Sequence, residues 1–407
     1  NSNFYTLVTG RYTGFKIFGA MTNDNAGMSV SGAGDVNDDG VDDVIVGASG
    51  ASVYNIGDNR GVSYVVFGRK VTSDANALTD VDLASAATGP TTLFRIYGAV
   101  YSGGSGYIVS GVGDINGDGI NDVVVACGSQ TSISGRDNAG LVYVIFGSTS
   151  ISDVFLGTII TGSTRGFRML GAAAGDSFGR ALSSAGDVNG DGIDDIIIGA
   201  PYAEFSPTSV DNGKAYVIFG NATKQFVDID LLTRVTGRYT GFVLHGVSDG
   251  NNAGMSVSSA GDVNGDGIDD IVLSAPRAAL SGTDRPNAGV TYIIYGRKIG
   301  PTDIAFSDVH LSSVGASSTI GFRIIGAAAY EASGIWVGGA GDVNGDGIGD
   351  IIVASPFGSS AEIANCGVSY VIFGRTGLIQ QMDLSGLKSG KSTGFRITGI
   401  DDSGEYN

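Results

Sequence analysis

The residues able to do chemistry in this chain fall in one nine-residue pattern that occurs five times. It reads DVNDDGVDD from Asp35, DINGDGIND from Asp114, DVNGDGIDD from Asp187, DVNGDGIDD from Asp262 and DVNGDGIGD from Asp342. Positions 1, 3, 5 and 9 are hard oxygen donors in every copy: Asp35, Asn37, Asp39 and Asp43; Asp114, Asn116, Asp118 and Asp122; Asp187, Asn189, Asp191 and Asp195; Asp262, Asn264, Asp266 and Asp270; Asp342, Asn344, Asp346 and Asp350. A Ca²⁺ ion takes six to eight oxygens at roughly 2.3 to 2.6 Å, and alternate residues of a tight loop can aim side chains at it. The main-chain carbonyl at position 7 (Val41, Ile120, Ile193, Ile268, Ile348) is a further candidate donor, with its β-branched side chain expected in the core. Glycine at position 6 (Gly40, Gly119, Gly192, Gly267, Gly347) permits the reversal that returns position 9 to the ion, because it tolerates positive φ. Position 8 varies (Asp42, Asn121, Asp194, Asp269, Gly349) and is expected outside the ligand set.

A single such loop also reads as a solvated Asp/Gly turn; five matched copies argue for a metal. Mg²⁺ suits an all-protein cage less well, since it keeps its waters. Charge points the same way: 23 basic against 41 acidic residues leave a net charge of −18, and fifteen aspartates stand where they repel one another without cations. Five Ca²⁺ ions would reduce −18 to −8. That acidity disfavours nucleic acid and anionic membrane surfaces as partners.

The elements that position the loops are short and repeated. A Gly-Phe-x-x-x-Gly element or a close variant recurs with Phe at 15, 94, 167, 242, 322 and 395. Each Asp-rich loop runs into a β-branched segment (Val44 to Val46, Val123 to Val125, Ile196 to Ile198, Ile271 to Leu273, Ile351 to Val353) too short for a buried helix. An aromatic-ended segment follows (Tyr64 to Phe67, Tyr143 to Phe146, Tyr216 to Phe219, Tyr292 to Tyr295, Tyr370 to Phe373). No segment has the 3.6-residue apolar spacing of a helix. The expectation is an all-β protein, a β-propeller of five repeats of about four strands each. The repeats span about 14–92, 93–165, 166–240, 241–320 and 321–393, with an extra terminal strand in 394–407, all in one domain over 1–407. Polar loops such as Ser49 to Arg60, Gly128 to Asn138, Tyr202 to Asn212 and Arg277 to Asn287 vary and are where a specific ligand would be recognised.

With 68 glycines, 42% hydrophobic and 16% charged residues, the composition is that of a folded, turn-rich chain. Two cysteines, Cys127 and Cys366, lie at different phases of the repeat and are not expected to pair. No apolar run is long enough to suggest a membrane span, and the first twenty residues carry no signal-peptide pattern.

The Gly-Phe element, the DxNxDGxxD loop and Gly199-Ala200-Pro201 after its strand together resemble the FG-GAP repeats of integrin α-subunit β-propellers. The literal Phe-Gly survives at Phe178-Gly179, and Gly-Ala-Pro becomes Gly47-Ala48-Ser49, Ser274-Ala275-Pro276 and Ala354-Ser355-Pro356 elsewhere. The resemblance implies a Ca²⁺-binding propeller, extracellular or on the cell surface, with adhesion or ligand recognition as its task. Such propellers are typically seven-bladed, whereas five repeats and six Gly-Phe strands stand here. EF-hand and dockerin loops share the DxNxDG start but need flanking helices and a ligand at position 12; strands follow immediately here.

Three functions are consistent with this: a recognition or adhesion module binding a protein or glycan through the variable loops; a structural subunit forming a homo-oligomer or filament through its terminal strands; and a non-catalytic portion of a larger exported enzyme. Catalysis by the chain itself has little to stand on. Its two histidines, His245 and His310, lie in different repeats, and His245 is expected to pack on a strand. Trp336 is expected to be a core aromatic. Asn221-Ala222-Thr223 is an N-glycosylation acceptor pattern that fits a glycoprotein.

Overall fold

The computed structural model describes residues 14 to 399, except 53–57, 73–78, 87, 90, 129–134, 151, 207, 223–225, 234–235, 238–239, 280–283, 301–302, 304, 316–318, 361–362, 378, 380 and 388–391. Thr223 of the glycosylation pattern, much of the loops at 49–60 and 128–138, and 400–407 lie outside the described residues.

The β-branched and aromatic-ended segments form strands, as their side chains require. In chain order these begin with β1 (Ile17–Phe18), β2 (Ala26–Gly34), β3 (Asp43–Ala48), β4 (Val62–Val66), β5 (Val81–Asp82) and β6 (Leu93–Tyr97). The second repeat adds β7 (Ile108–Gly113), β8 (Asp122–Cys127), β9 (Leu141–Ile145), β10 (Val154–Phe155) and β11 (Gly166–Leu170). The third adds β12 (Ala181–Gly186), β13 (Asp195–Ala200), β14 (Lys214–Ile218), β15 (Ile229–Asp230) and β16 (Gly241–His245). The fourth adds β17 (Val257–Gly261), β18 (Asp270–Ala275), β19 (Val290–Ile294), β20 (Val309–His310) and β21 (Gly321–Ile325). The last strands are β22 (Trp336–Gly341), β23 (Asp350–Ser355), β24 (Val368–Ile372), β25 (Met382–Asp383) and β26 (Gly394–Thr398). The described helical turns are three-residue 3₁₀ turns, such as Leu156–Thr158. The fold is all-β and repetitive, with the blade organisation of a β-propeller.

Two compact units divide the chain: residues 1–170 with 223–230, and residues 171–222 with 231–407. The first holds the sheets β2-β3-β4-β6-β10 and β7-β8-β9-β11-β15 and the pair β1-β5. The second holds β12-β13-β14-β16-β20, β17-β18-β19-β21-β25 and β22-β23-β24-β26. Each sheet is an antiparallel four-strand meander whose fourth strand, the Gly-Phe strand, belongs to the next copy of the sequence motif. The expected four strands are joined in four sheets by a fifth, a two-residue parallel strand such as β10 on β6 (Val154 opposite Ile96). Two residues carry no readable period, which is why the sequence gives no sign of it.

The motif glycine is demanded by packing. Gly241 has φ +136°, and a Cβ there would meet the Val217 carbonyl oxygen at 1.9 Å. The phenylalanine beside it is core: Phe167, Phe242 and Phe322 are buried. Within each unit successive sheets share an apolar layer, Ile45 and Ile96 with Val123 and Val125 in the first, and Ile197 and Leu244 with Ile271 and Leu273 in the second. Both cysteines are free, Cys127 buried and Cys366 half-buried. Trp336 corrects the expectation of a core aromatic: it is 67% exposed on the last sheet of its unit, where no following sheet covers it.

Candidate metal centre

Each Asp-rich loop joins the first and second strands of a sheet, and its own side chains hold it. In the first loop Asp35 accepts the amides of Asp39 at 3.0 Å and Gly40 at 2.7 Å, while Asp39 accepts that of Val41 at 3.0 Å. The same three bonds recur in every copy, for example Asp191 N–H and Gly192 N–H to Asp187 and Ile193 N–H to Asp191. Position 6 has positive φ in all five loops, from 83° at Gly40 to 90° at Gly119. Position 4 also has positive φ, with Gly117, Gly190, Gly265 and Gly345 there and Asp38 in the first loop at 59°. Aspartate tolerates that left-handed conformation better than most residues.

Position 9 is the clasp. Asp43 Oδ2 accepts the Val36 amide at 3.0 Å and its Oδ1 the Gly68 amide at 2.8 Å, so one carboxylate ties the start of the loop to the end of the third strand. Asp122, Asp195, Asp270 and Asp350 repeat both bonds, and all five are buried. Burial pushes the Asp43 carboxyl up to about 6, and those of Asp122 and Asp270 up to about 8. Asp195 is pushed well up for the same reason. In these four loops the carboxylates at positions 1 and 5 add to the rise by repulsion, so the three acidic side chains feel one another's charge. Asp342, in the open fifth loop, is instead held low by the Gly347, Asp346 and Gly345 amides.

The structure brings positions 1, 3, 5 and 9 of each copy into one loop. Position 3 is buried in the first four (Asn37, Asn116, Asn189, Asn264) and exposed at Asn344. Among the described residues no three acidic, histidine or cysteine side chains stand together as a ready-made metal cage. The loop nevertheless fits a hard cation on three grounds. The donors are oxygens, the carboxylates keep lone pairs beyond those used by the amides, and the buried Asn116 Oδ1 has no hydrogen-bond partner. A divalent cation would be the largest local charge and would reverse the carboxylate repulsion.

Position 7 is half-buried in all five loops, not fully in the core. The core residue of the loop is at position 2, where Val36, Ile115, Val188 and Val263 are buried. Position 8 has a task of its own: Asn121 Oδ1 accepts the Asp35 amide and Asp269 Oδ2 the Asp187 amide, each at 3.0 Å, linking neighbouring loops. The histidines, separate in sequence, are opposite each other in the parallel pair β16-β20. Phe205 sits edge-on to both, and His245 Nε2 lies 3.9 Å from Asp308. His245 is thus a half-buried strand residue at a sheet edge, as its repeat position suggests.

Comparison with known proteins agrees with this architecture. The FG-GAP repeat family matches residues 178–218, 253–294 and 334–372. Integrin alpha-PS2 of Drosophila melanogaster is 28% identical over 224 residues, 53% of this chain and 13% of that protein. Integrin alpha-3 of Cricetulus griseus is 32% identical over 158 residues, 38% of this chain and 13% of that protein. Phosphatidylinositol-glycan-specific phospholipase D of Bos taurus is 29% identical over 181 residues, 44% of this chain and 18% of that protein. The aligned part is thus less than a fifth of each relative's length. The chain is an integrin-like FG-GAP repeat protein.

Proposed function

We propose that the chain is a non-enzymatic, extracellular or cell-surface module that recognises a protein or glycan, with five Ca²⁺ ions stiffening the scaffold that presents its variable loops. The observation that carries this reading is the fivefold constellation of three mutually repelling carboxylates, one of them buried and clamped, beside an asparagine. Positions 1, 3, 5 and 9 and the carbonyl of position 7 would hold the ion, which supplies charge compensation and rigidity. The integrin alpha relatives support adhesion or recognition as the task. Isothermal titration with CaCl₂ and with MgCl₂ tests the metal: about five tight sites for calcium are expected, and equal or tighter magnesium binding would contradict the reading. A screen against extracellular-matrix proteins and glycans with and without EDTA then tests recognition, where calcium-dependent capture is expected.

Two other readings each have a specific observation in their favour. The similarity to a phospholipase D favours a non-catalytic portion of an exported enzyme. The open outer edge of β26 favours a structural subunit that assembles through its terminal strands.

A further inference from the structure

The last sheet, β22-β23-β24-β26, lacks the parallel fifth strand that β6, β11, β16 and β21 each receive. It also lacks a cover. Ile352 is 36% and Ile397 53% exposed, whereas their repeat counterparts Ile45 and Ile96, Ile197 and Leu244, and Val272 and Ile324 are at most 1% exposed. Those counterparts are covered by the sheet that follows them, as Val272 and Ile324 are by Ile351 and Val353. Val343 at loop position 2 is 49% exposed for the same reason, and Trp336, opposite Ala354 in register, shares the open face. One sheet therefore ends with both an unpaired edge and an uncovered apolar face, a combination that favours pairing with another chain.

The opposite deficiency occurs at the other end of the chain. The pair β1-β5 holds a Gly-Phe strand beside its two-residue parallel strand, Ile17 opposite Val81 and Phe18 opposite Asp82, with no antiparallel meander attached among the described residues. Three bonds join them: Val81 N–H to Lys16 O at 2.8 Å, Leu83 N–H to Phe18 O at 3.0 Å, and Lys16 N–H to Asp80 Oδ1 at 2.8 Å. β26 has the same motif, with Arg396, Ile397 and Thr398 at the places of Lys16, Ile17 and Phe18.

We propose that β26 of one copy takes the place of β1 beside β5 of a second copy, completing a five-stranded sheet across the joint and laying the open face of the last sheet on the first sheet of its neighbour. This deepens the assembly reading above by naming its joint, and rests on it. The exchange is balanced in hydrogen bonds, because Arg396 O, Thr398 O and Arg396 N–H reproduce the three that β1 gives up. Its driving force is the burial of Ile352, Ile397 and Trp336, all exposed before it. Charge matches too. In the complete sheets an aspartate preceding the short strand accepts the third residue of the Gly-Phe strand, as Asp153 does Arg95 N–H at 2.8 Å and Asp228 does Arg168 Nε at 2.8 Å. Among the described residues no carboxylate does so for the Arg396 amide, and Asp80 of the second copy would. The joint is head to tail, so it closes a ring or extends a filament.

The test uses the 407-residue chain with Cys366→Ser, in one preparation carrying Asp82→Cys and in another Thr398→Cys. Opposed residues of paired strands are within disulfide reach. Mixing the two at about 100 μM and oxidising should give a covalent dimer on a non-reducing gel that neither preparation gives alone. A Phe18→Cys/Asp82→Cys chain, which should form its bond internally, checks folding and accessibility. Sedimentation of the wild-type chain should show mass rising with concentration, and Ile397→Glu should abolish the rise without lowering the melting temperature. Self-association without the cross-link would overturn this joint and leave the assembly reading standing. A monomer at every concentration would overturn both. A chain carrying both cysteines that yields only an internally cross-linked monomer would likewise overturn the proposal.

Discussion

The Asp269 side chain accepts the backbone N–H of Asp187 at 3.0 Å, so position 8 of one loop is bonded to position 1 of the loop before it. Asn121 does the same for Asp35, and at the third such junction, where position 8 is Gly349, the backbone takes over, its N–H donating to Asp262 O at 2.9 Å. Acceptor capacity, not charge, is what the position supplies. Asp269→Asn should therefore be nearly neutral, while Asp269→Ala should cost about 1 to 2 kcal/mol by leaving an amide unpaired. Equal losses for both variants in urea unfolding would refute this.

Removal of calcium should destabilise the fold. Each site held at about 100 times its dissociation constant contributes roughly 2.7 kcal/mol, and the carboxylates left behind repel. We expect EDTA to lower the melting temperature by at least about 5 °C, and re-addition of CaCl₂ to restore it. A melting curve indifferent to EDTA would count against metal-dependent stability.

Single sites should be separable. Asp191→Ala removes a donor and the acceptor of the Ile193 amide from the third loop alone. Calcium stoichiometry should fall from five to four with the remaining affinities little changed, because repeats couple chiefly to their neighbours. Loss of two or more sites would show tighter coupling than the loop geometry implies.

The pH dependence of one ion pair follows from its sign. Arg285 donates through both Nη atoms to Asp383, one bond being 2.9 Å, and the Ser385 amide also donates to it at 2.9 Å. The guanidinium bond, more than the Ser385 hydrogen bonds, holds the Asp383 carboxyl down at about 2. A carboxylate whose folded pKa is depressed stabilises above its unfolded value near 3.8 and loses that contribution as pH falls toward 2. The stability gap between wild type and Asp383→Asn should be constant from pH 7 to 5 and shrink between pH 4 and 2. Because Asp383 is substantially exposed, the gap should be small. A gap that grows on acidification would contradict the assignment.

The lone tryptophan reports on the open sheet. Trp336 is 67% exposed, so its emission should be red and readily quenched by acrylamide in dilute solution. If the last sheet becomes covered at high concentration, emission should move to the blue and quenching should fall. Emission that is blue and protected from the outset would place Trp336 in a buried setting and contradict the geometry.

What was legible in the sequence follows from period and repetition. The strands after each loop could be read because Ile196 to Ile198 and their counterparts form apolar segments bounded by Asp and Gly, and five copies made the ligand set at positions 1, 3, 5 and 9 stand out from a variable position 8. The two-residue parallel strands were not legible, being too short for any period. The pairing of His245 with His310 depends on that unseen strand, so it was hidden as well. The exposure of Trp336 and Ile397 was missed for a different reason. Their side chains are apolar like their buried counterparts or more so, and only the absence of a following sheet leaves them open. The double role of Asp43 and its equivalents, clasping the loop through two backbone amides while carrying a raised carboxyl, needs a strand end 25 residues away in the first loop, beyond the reach of a local motif.

The most direct test of the calcium reading is a native mass spectrum of the chain, 41.2 kDa by composition, exchanged into ammonium acetate with trace calcium. The account expects a dominant species carrying five Ca²⁺ ions, stripped stepwise by a chelator and not rebuilt by magnesium at the same concentration. A spectrum dominated by the metal-free chain under calcium-replete conditions would contradict it.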